Sequence, residues 1–204
     1  LEVLDLSGNQ LSTLPDDLPR LHRLRILFCS GNPFTVLPEV LGACPQLEMI
    51  GFKACDIGTV PAAALPPTLR WLILTDNQIR ELPTEIGQCQ QLQKLMLAGN
   101  QLQTLPTQLA ACSRLELLRV SANQLSQLPE CIFALPRLAW LAFAGNPLTA
   151  GIEAGRAAAA SVPDIPWHQL QLGRQLGEGA SGVISQALWQ DAGQQRDVAL
   201  KLFK

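Results

Sequence analysis

The sequence predicts an α/β solenoid with a parallel β-sheet on its concave face, followed by a separate run of three β-strands. Three observations support this fold class. Leucine recurs at a nearly constant period, a shorter pattern of leucines and one asparagine repeats inside each period, and both end near residue 150. Beyond residue 166 apolar residues alternate instead, which is typical of β-strands.

The solenoid is predicted from seven repeats, each of which begins with a leucine. These leucines are Leu1, Leu24, Leu47, Leu69, Leu92, Leu115 and Leu138, and the repeat that starts at Leu47 is one position shorter than the others. Each begins the pattern LxxLxLxxN, usually followed by xLxxLP, and Cys55 replaces the asparagine of the third repeat. Self-similarity at a period of about 23 residues indicates a stack of identical structural units.

Each part of the repeat has a physical role. The LxL segment predicts a short strand with its leucines on one side. The asparagine follows where the chain turns, and its amide can bond backbone groups that would otherwise be buried without partners. One repeat cannot bury its leucines alone, so neighbouring repeats are expected to stack. The pattern resembles the leucine-rich repeat family, and the resemblance covers residues 1–149.

The residues between the buried leucines are expected to point outward from the concave side of the sheet. With strands about 4.8 Å apart, they would form an apolar stripe roughly 30 Å long. Exposed apolar bands usually mark a partner surface, so a protein or peptide ligand is predicted here. The predicted contact residues are Ile26, Phe28, Met49, Trp71, Ile73, Met96, Leu117 and Trp140. Half-burial of these side chains beneath their neighbours is the alternative.

The predicted domains are the repeat domain at residues 1–149, a linker or cap at 150–166, and a third segment at 167–204. The linker is expected to hold one short capping helix and then an extended stretch imposed by Pro163 and Pro166. It is too short and too charged for a membrane span, so both flanking segments are expected on the same side of any membrane. Because Leu1 opens directly on a repeat, further residues are expected before it.

A glycine-rich turn, Gly177-Glu178-Gly179-Ala180-Ser181-Gly182, dominates the third segment. The sequence Val198-Ala199-Leu200-Lys201 follows it and ends on a lysine. The segment is predicted as strand, glycine turn, strand, polar turn at residues 190–196, and a strand at 198–203. Dinucleotide-binding folds also use GxGxxG, but they need a helix at the third glycine, and residues 183–189 are strand-like.

The two motifs, in this order and at this spacing, resemble the N-terminal edge of a protein kinase domain, preceded by an IPWxxL lead-in similar to that of some tyrosine-kinase-like members. By that resemblance, the glycine turn would close over the nucleotide phosphates and Lys201 would pair with them, while Leu176, Ile184 and Ala199 would cover the adenine. The complete implied ATP site is Leu176, Gly177, Glu178, Gly179, Ala180, Ser181, Gly182, Val183, Ile184, Ala199 and Lys201. For Lys201 the alternative is a solvated strand lysine.

The resemblance implies an ATP- and Mg²⁺-dependent protein kinase acting on Ser/Thr, with Tyr left open, whose repeats recruit or regulate. Residues 1–204 contain no HRD-type catalytic loop, no DFG aspartate for magnesium and no helix C glutamate. We therefore expect no kinase activity from these residues alone, and we assign them no catalytic residue and no metal ligand. Two alternatives stay open: a repeat scaffold carrying a pseudokinase, which acts by protein interaction only, and a repeat protein whose tail matches by accident.

The composition argues against some classes of partner and favours one cellular compartment. The net charge is −2 and no basic stripe is present, which argues against nucleic acid. The six cysteines occupy repeat positions that suit small apolar residues and form no CxxC pair or Cys/His cluster, so neither a metal site nor a disulfide framework is predicted. No apolar run approaches the length of about 20 residues that a membrane-spanning helix needs, so no span is expected. Reduced cysteines favour a cytoplasmic location.

Overall fold

The computed structural model describes residues 1–151, 165–179, 182–191 and 193–203. The chain divides into two compact units, Leu1–Gly155 and Arg156–Lys204. Most of the predicted linker, with its expected capping helix, lies outside the described residues.

The first unit is built on a seven-stranded parallel sheet in which the strands follow one another in chain order. Each strand is only three residues long, as expected for a short repeat in which the chain must turn back to begin the next strand. The strands are β1 Val3–Asp5, β2 Ile26–Phe28, β3 Met49–Gly51, β4 Trp71–Ile73, β5 Lys94–Met96, β6 Leu117–Arg119 and β7 Trp140–Ala142. The predicted solenoid with a parallel sheet is confirmed.

The core of this unit is the stack of leucines that recur in each repeat, with isoleucine in their place at position 50. The central residue of each strand points inward, and Leu27, Ile50, Leu72, Leu95 and Leu118 have no exposed surface. A buried aromatic pair, Phe34 and Phe52, packs edge to face with ring centroids 5.0 Å apart. Burial of this kind removes apolar surface from water in every repeat, and it accounts for the strict leucine period.

The convex side carries short 3-10 helices, which represent the helical part of the predicted α/β class in the described repeats. So short a repeat leaves little length for a longer helix. Proline before most of these helices also holds the entering backbone extended. They are Leu18–Arg20, Glu39–Ala43, Ala62–Ala64, Thr84–Gln88, Thr107–Ala111, Glu130–Ile132 and Pro147–Thr149.

The consensus asparagines form a hydrogen-bonded ladder between repeats. Asn100 is representative: its amide nitrogen donates to the carbonyls of Leu74 and Leu97 at 2.9 and 3.0 Å, and its Oδ1 accepts from the Ile79 amide at 3.0 Å. Asn32, Asn77, Asn123 and Asn146 repeat these contacts. The side chain thus bonds buried backbone groups, as predicted, and it also joins its own turn to that of the preceding repeat.

The second unit contains a three-stranded antiparallel sheet in the order β10-β9-β8. Its strands are β8 Leu170–Gly179, β9 Gly182–Asp191 and β10 Gln194–Phe203, preceded by a 3-10 helix at Trp167–Gln169. The polar turn predicted at residues 190–196 is shorter than expected, because Asp191 pairs directly with Gln194. Gly193 there has φ +88°, a left-handed conformation that glycine adopts without strain and that suits a tight hairpin.

Candidate functional site

The concave face of the repeat unit presents two rows of side chains, one on each side of the buried central row. Parallel pairing without a register shift places equivalent residues side by side from β1 to β7. The first row is Val3, Ile26, Met49, Trp71, Lys94, Leu117 and Trp140. The second row is Asp5, Phe28, Gly51, Ile73, Met96, Arg119 and Ala142.

All eight predicted partner-contact residues lie in these two rows. Seven of them, from Ile26 to Leu117, are partly buried, while Trp140 is 57% exposed. Two cations stand among the residues of the predicted apolar stripe, Lys94 in the first row and Arg119 in the second. Sequence reasoning passed over both cations because it selected apolar residues at these positions, although the same register would have located the cations.

Trp71 lies at the centre of this face, in a depression of about 240 Å³. The Lys94 ammonium sits over its indole, 3.7 Å from the ring centroid, a cation–π arrangement that attracts the charge to the ring face. The depression is lined by Arg25, Ile26, Glu48, Met49, Arg70, Trp71 and Gln93. It therefore combines an apolar floor with a charged rim.

The rim is organised around one carboxylate. Arg25 donates to both oxygens of Glu48 through Nε and Nη2, at 3.2 and 3.0 Å, and Arg70 donates to Glu48 through Nη1 at 3.4 Å. Nη2 of Arg70 also donates to Gln93 at 3.2 Å. The hydrogen bonds from Arg25 lower the pKa of the Glu48 carboxyl below its ordinary value. Glu48 is therefore ionised at neutral pH, and two guanidiniums share its single charge.

A glycine shapes the neighbouring part of the face. The ring of Phe28 lies against Gly51, where an added Cβ would come within 2.5 Å of Cδ1. Gly51 is the only residue of the second row without a side chain, and the aromatic ring of the adjacent strand fills the space this leaves. The repeat period places the two residues side by side, but the leucine pattern does not indicate that the ring fills this space, because that depends on the Phe28 rotamer.

The predicted nucleotide-binding residues lie in the three-stranded sheet. Its register places Gly177, Ile184 and Lys201 side by side on β8, β9 and β10. Ala199 is two residues from Lys201 and so shares its face. Ile184, Ala199 and Lys201 are all exposed, as is Leu176. The opposite face includes the buried Ser185 and Ala187 and the partly buried Val183. The sheet thus brings Gly177, Ile184, Ala199 and Lys201 to one open face, with Val183 on the other.

The glycine turn is described in part. Glu178 pairs with Val183 and Gly179 with Gly182, which closes the end of the β8–β9 hairpin, while Ala180 and Ser181 lie outside the described residues. Apart from its chain neighbours, no atom of the described residues lies within 4 Å of the position of a Cβ at Gly177. Packing therefore does not require glycine there, and the open space fits the close approach of a phosphate.

Five of the six cysteines are buried in the core of the repeat unit. Cys29, Cys44, Cys55, Cys89 and Cys112 are buried free thiols. Desolvation raises the pKa of Cys29 and Cys89 to about 12 and that of Cys112 to about 11, so these thiols stay protonated at neutral pH. Within the described ranges, no cluster of three His, Cys, Asp or Glu side chains is placed to hold a metal ion.

No helix in the described part of the chain has the length and apolar character needed to cross a membrane.

Comparison with known proteins identifies the repeats. The family described as leucine rich repeat matches residues 67–125 and 90–148, and a second leucine-rich repeat family matches residues 1–21. Leucine-rich repeat and calponin homology domain-containing protein 1 of Mus musculus is 33% identical over 91 residues, which are 45% of this chain and 13% of that protein. The probable serine/threonine-protein kinase pats1 of Dictyostelium discoideum is 37% identical over 101 residues, covering 47% of this chain and 3% of that protein.

Solved structures agree with the fold. A leucine-rich repeat protein of Leptospira interrogans aligns with a TM-score of 0.68 and 30% identity, over 72% of this chain and 38% of that one. The plant peptide hormone receptor RGFR1, solved in complex with RGF2, aligns with a TM-score of 0.62 and 28% identity, over 72% of this chain and 25% of the receptor. The chain spans well under half the length of each of these proteins, and the likeness lies in the repeats.

Proposed function

Since this chain carries leucine-rich repeats, we propose that its repeat domain binds a polypeptide through the concave face and that β8 to β10 begin an ATP-dependent protein kinase domain. The repeats recruit or regulate, and the kinase transfers phosphate from ATP to Ser/Thr side chains of a protein substrate. Reduced, buried thiols support a cytoplasmic location for both parts.

The observation that carries the binding function is the alignment of apolar side chains on the concave face. Trp71 and Trp140 occupy equivalent positions of the first row, three strands apart, which is about 14 Å. Tryptophan is a frequent anchor in interfaces because it buries a large surface while losing few rotamers. The plant receptor with a similar fold was solved with RGF2 bound, which supports a polypeptide as the ligand class.

Binding is tested by selecting random 12-residue peptides displayed on phage against the purified chain. Replacing Trp71 and Trp140 by alanine should weaken binding of the selected peptides at least tenfold, because truncating an interface anchor often costs about 2 kcal/mol. The matched control is Trp167→Ala, which removes a tryptophan that is 58% exposed and lies outside the repeat strands. Unchanged affinity in the double variant, with the repeats still folded by circular dichroism, would refute concave binding.

The kinase proposal rests on the two motifs and on the register of the sheet. Gly177 leaves room for phosphate, Lys201 supplies a positive charge for it, and Ile184 and Ala199 offer an apolar surface on the same face. ATP with Mg²⁺ would bind there, and phosphoryl transfer depends on such positioning and charge neutralisation. The protein of Dictyostelium discoideum that is similar to 47% of this chain is named a probable serine/threonine-protein kinase, which supports the combination.

This proposal is tested in the protein encoded by the complete reading frame, with radiolabelled ATP and autophosphorylation as the readout. Lys201→Met should abolish labelling, because the methionine keeps most of the length of the side chain and removes its charge. Lys53→Met, which changes an exposed lysine of the repeat unit, should leave labelling intact. Equal labelling in wild type and Lys201→Met would refute the role of Lys201, and absence of labelling in the wild type would refute the enzyme.

A further inference from the structure

The centre of the concave face is positively charged, although the chain as a whole carries −2. Arg25 and Arg70 share the single carboxylate of Glu48. Lys94 and Arg119 have no carboxylate within salt-bridge distance among the described residues. Four cations therefore stand against two carboxylates from β2 to β6, Glu48 and the Glu116 that directly precedes β6.

The cations of the depression are also more exposed than its carboxylate, which makes its surface more positive. The side chains of Arg25 and Arg70 are 48% and 45% exposed, whereas that of Glu48 is 29% exposed. A ligand entering the depression therefore meets the guanidiniums before the carboxylate. Partly desolvated cations beside an apolar floor attract an anion more strongly than fully solvated ones do, because the local dielectric constant is lower.

The length of the positive region limits the length of the ligand that fits it. Arg25 to Arg119 spans four strand spacings, about 19 Å, which is the length of about six extended residues. Beyond it, Glu2 and Asp5 lie at the β1 end of the face. Glu116 directly precedes β6, within the last repeat of the region. A long polyanion such as nucleic acid would extend to Glu2 and Asp5, whereas a short acidic segment beside Arg70, Lys94 and Arg119 would not.

We propose that the ligand of the concave face is a short acidic polypeptide segment in which Asp or Glu neighbours a large apolar residue. The apolar side chain occupies the depression beside Trp71 and Met49, and the carboxylates face Arg70, Lys94 and Arg119. This inference rests on the proposed binding function and adds the chemistry of its ligand. Electrostatic complementarity of this kind sets specificity and association rate more than total affinity.

The test uses the random 12-residue peptide library selected on the whole chain, followed by affinity measurements with the synthesised winners. We expect the winners to be enriched in Asp and Glu. Replacing Arg70 and Lys94 together by glutamine should weaken their binding about tenfold or more, at roughly fivefold for each charge. Arg20→Gln with Arg80→Gln removes the same charge outside the depression and should change affinity less than twofold.

A charge reversal gives a test that a loss of folding cannot explain, because the variant is expected to gain a new ligand. Lys94→Glu should reject the acidic winners and bind versions in which one acidic residue is replaced by lysine. Binding of the winners to wild type should also weaken as NaCl rises from 50 to 500 mM.

The outcomes separate this inference from the function on which it rests. Neutral or basic winners that still lose affinity when Trp71 and Trp140 become alanine would overturn the acidic ligand and leave concave binding standing. Winners unaffected by those two tryptophans, or a selection without winners, would overturn both. Acidic winners that bind equally well to the Arg70 and Lys94 variant would overturn the proposed contacts.

Discussion

Replacing Asn100 with alanine tests the ladder that joins the repeats. The alanine removes three side-chain bonds of 2.9–3.0 Å to backbone groups, which are the Leu74 and Leu97 carbonyls and the Ile79 amide. The two carbonyls keep a second donor, since Leu74 also accepts from Asn77 and Leu97 from Asn123, at 3.0 and 2.9 Å. The Ile79 amide has no such substitute and remains as a buried, unpaired donor.

One buried unpaired donor costs about 1–3 kcal/mol, and that is the expected loss in the free energy of unfolding. The measurement is a urea titration followed by far-ultraviolet circular dichroism. Hydrogen exchange adds a local readout, because the Ile79 amide should exchange faster than its neighbours in the variant while other repeat amides change little.

The matched control is Asn9→Ala in the first repeat. Asn9 donates to the Leu6 carbonyl at 2.8 Å, but this bond is exposed, so water can replace it. We expect a change of no more than about 0.5 kcal/mol. Equal losses for Asn100→Ala and Asn9→Ala, or unchanged exchange at Ile79, would show that the ladder does not stabilise the stack in this way.

Two further predictions concern the concave face. Gly51→Ala should lower the free energy of unfolding, measured by urea titration, by about 1–3 kcal/mol because the added methyl group clashes with Phe28. This loss should vanish in a Phe28→Ala background, and an equal loss in both backgrounds would contradict the clash. The low pKa of Glu48 means that its ion pairs stabilise the chain at neutral pH and lose that effect as pH falls below the ordinary value of 4.5. The difference in the free energy of unfolding between wild type and Glu48→Gln should therefore shrink from pH 7 to pH 3. A constant difference would refute stabilisation by the ion pairs of Glu48.

Much of the repeat unit follows from the sequence because its contacts are local or periodic. The leucine spacing places every strand, and the asparagine position predicts that its side chain bonds buried backbone groups, as Asn100 does. The period also implies the register, since equivalent residues of adjacent repeats pair without a shift. Contacts that recur with the repeat can therefore be inferred from one chain.

What the sequence did not predict depends on contacts between variable side chains. The position of the Lys94 ammonium over Trp71 depends on rotamers in two repeats, and the leucine pattern carries no information about them. The Phe28 ring against Gly51 is a contact of the same kind. In the three-stranded sheet, alternating apolar residues on either side of the glycine turn predicted the strands. They did not predict the register shifts that β8 contains near Gln175.

The third repeat shows how such variation is tolerated and yields the last prediction. Cys55 stands where other repeats have asparagine, and its thiol makes only long contacts to the Cys29 and Lys53 carbonyls, at 3.4 and 3.7 Å. The amide that an asparagine would bond, that of Phe34, donates instead to the Asn32 carbonyl at 2.9 Å. Phe34 and Phe52 are larger than the aliphatic residues at these positions in most repeats, and we expect the shorter side chain at position 55 to leave room for them.

Cys55→Asn should therefore destabilise the chain, by about 1–3 kcal/mol, although it restores the consensus, because the added atoms would overpack against the aromatic pair. Combining it with Phe34→Leu should recover stability, and a double-mutant cycle should give a favourable coupling of at least about 0.5 kcal/mol between the two changes. Urea titrations of the four proteins provide the measurement. If Cys55→Asn alone stabilised the chain, the thiol would be a simple defect in the ladder, and the compensation by the aromatic pair would be refuted.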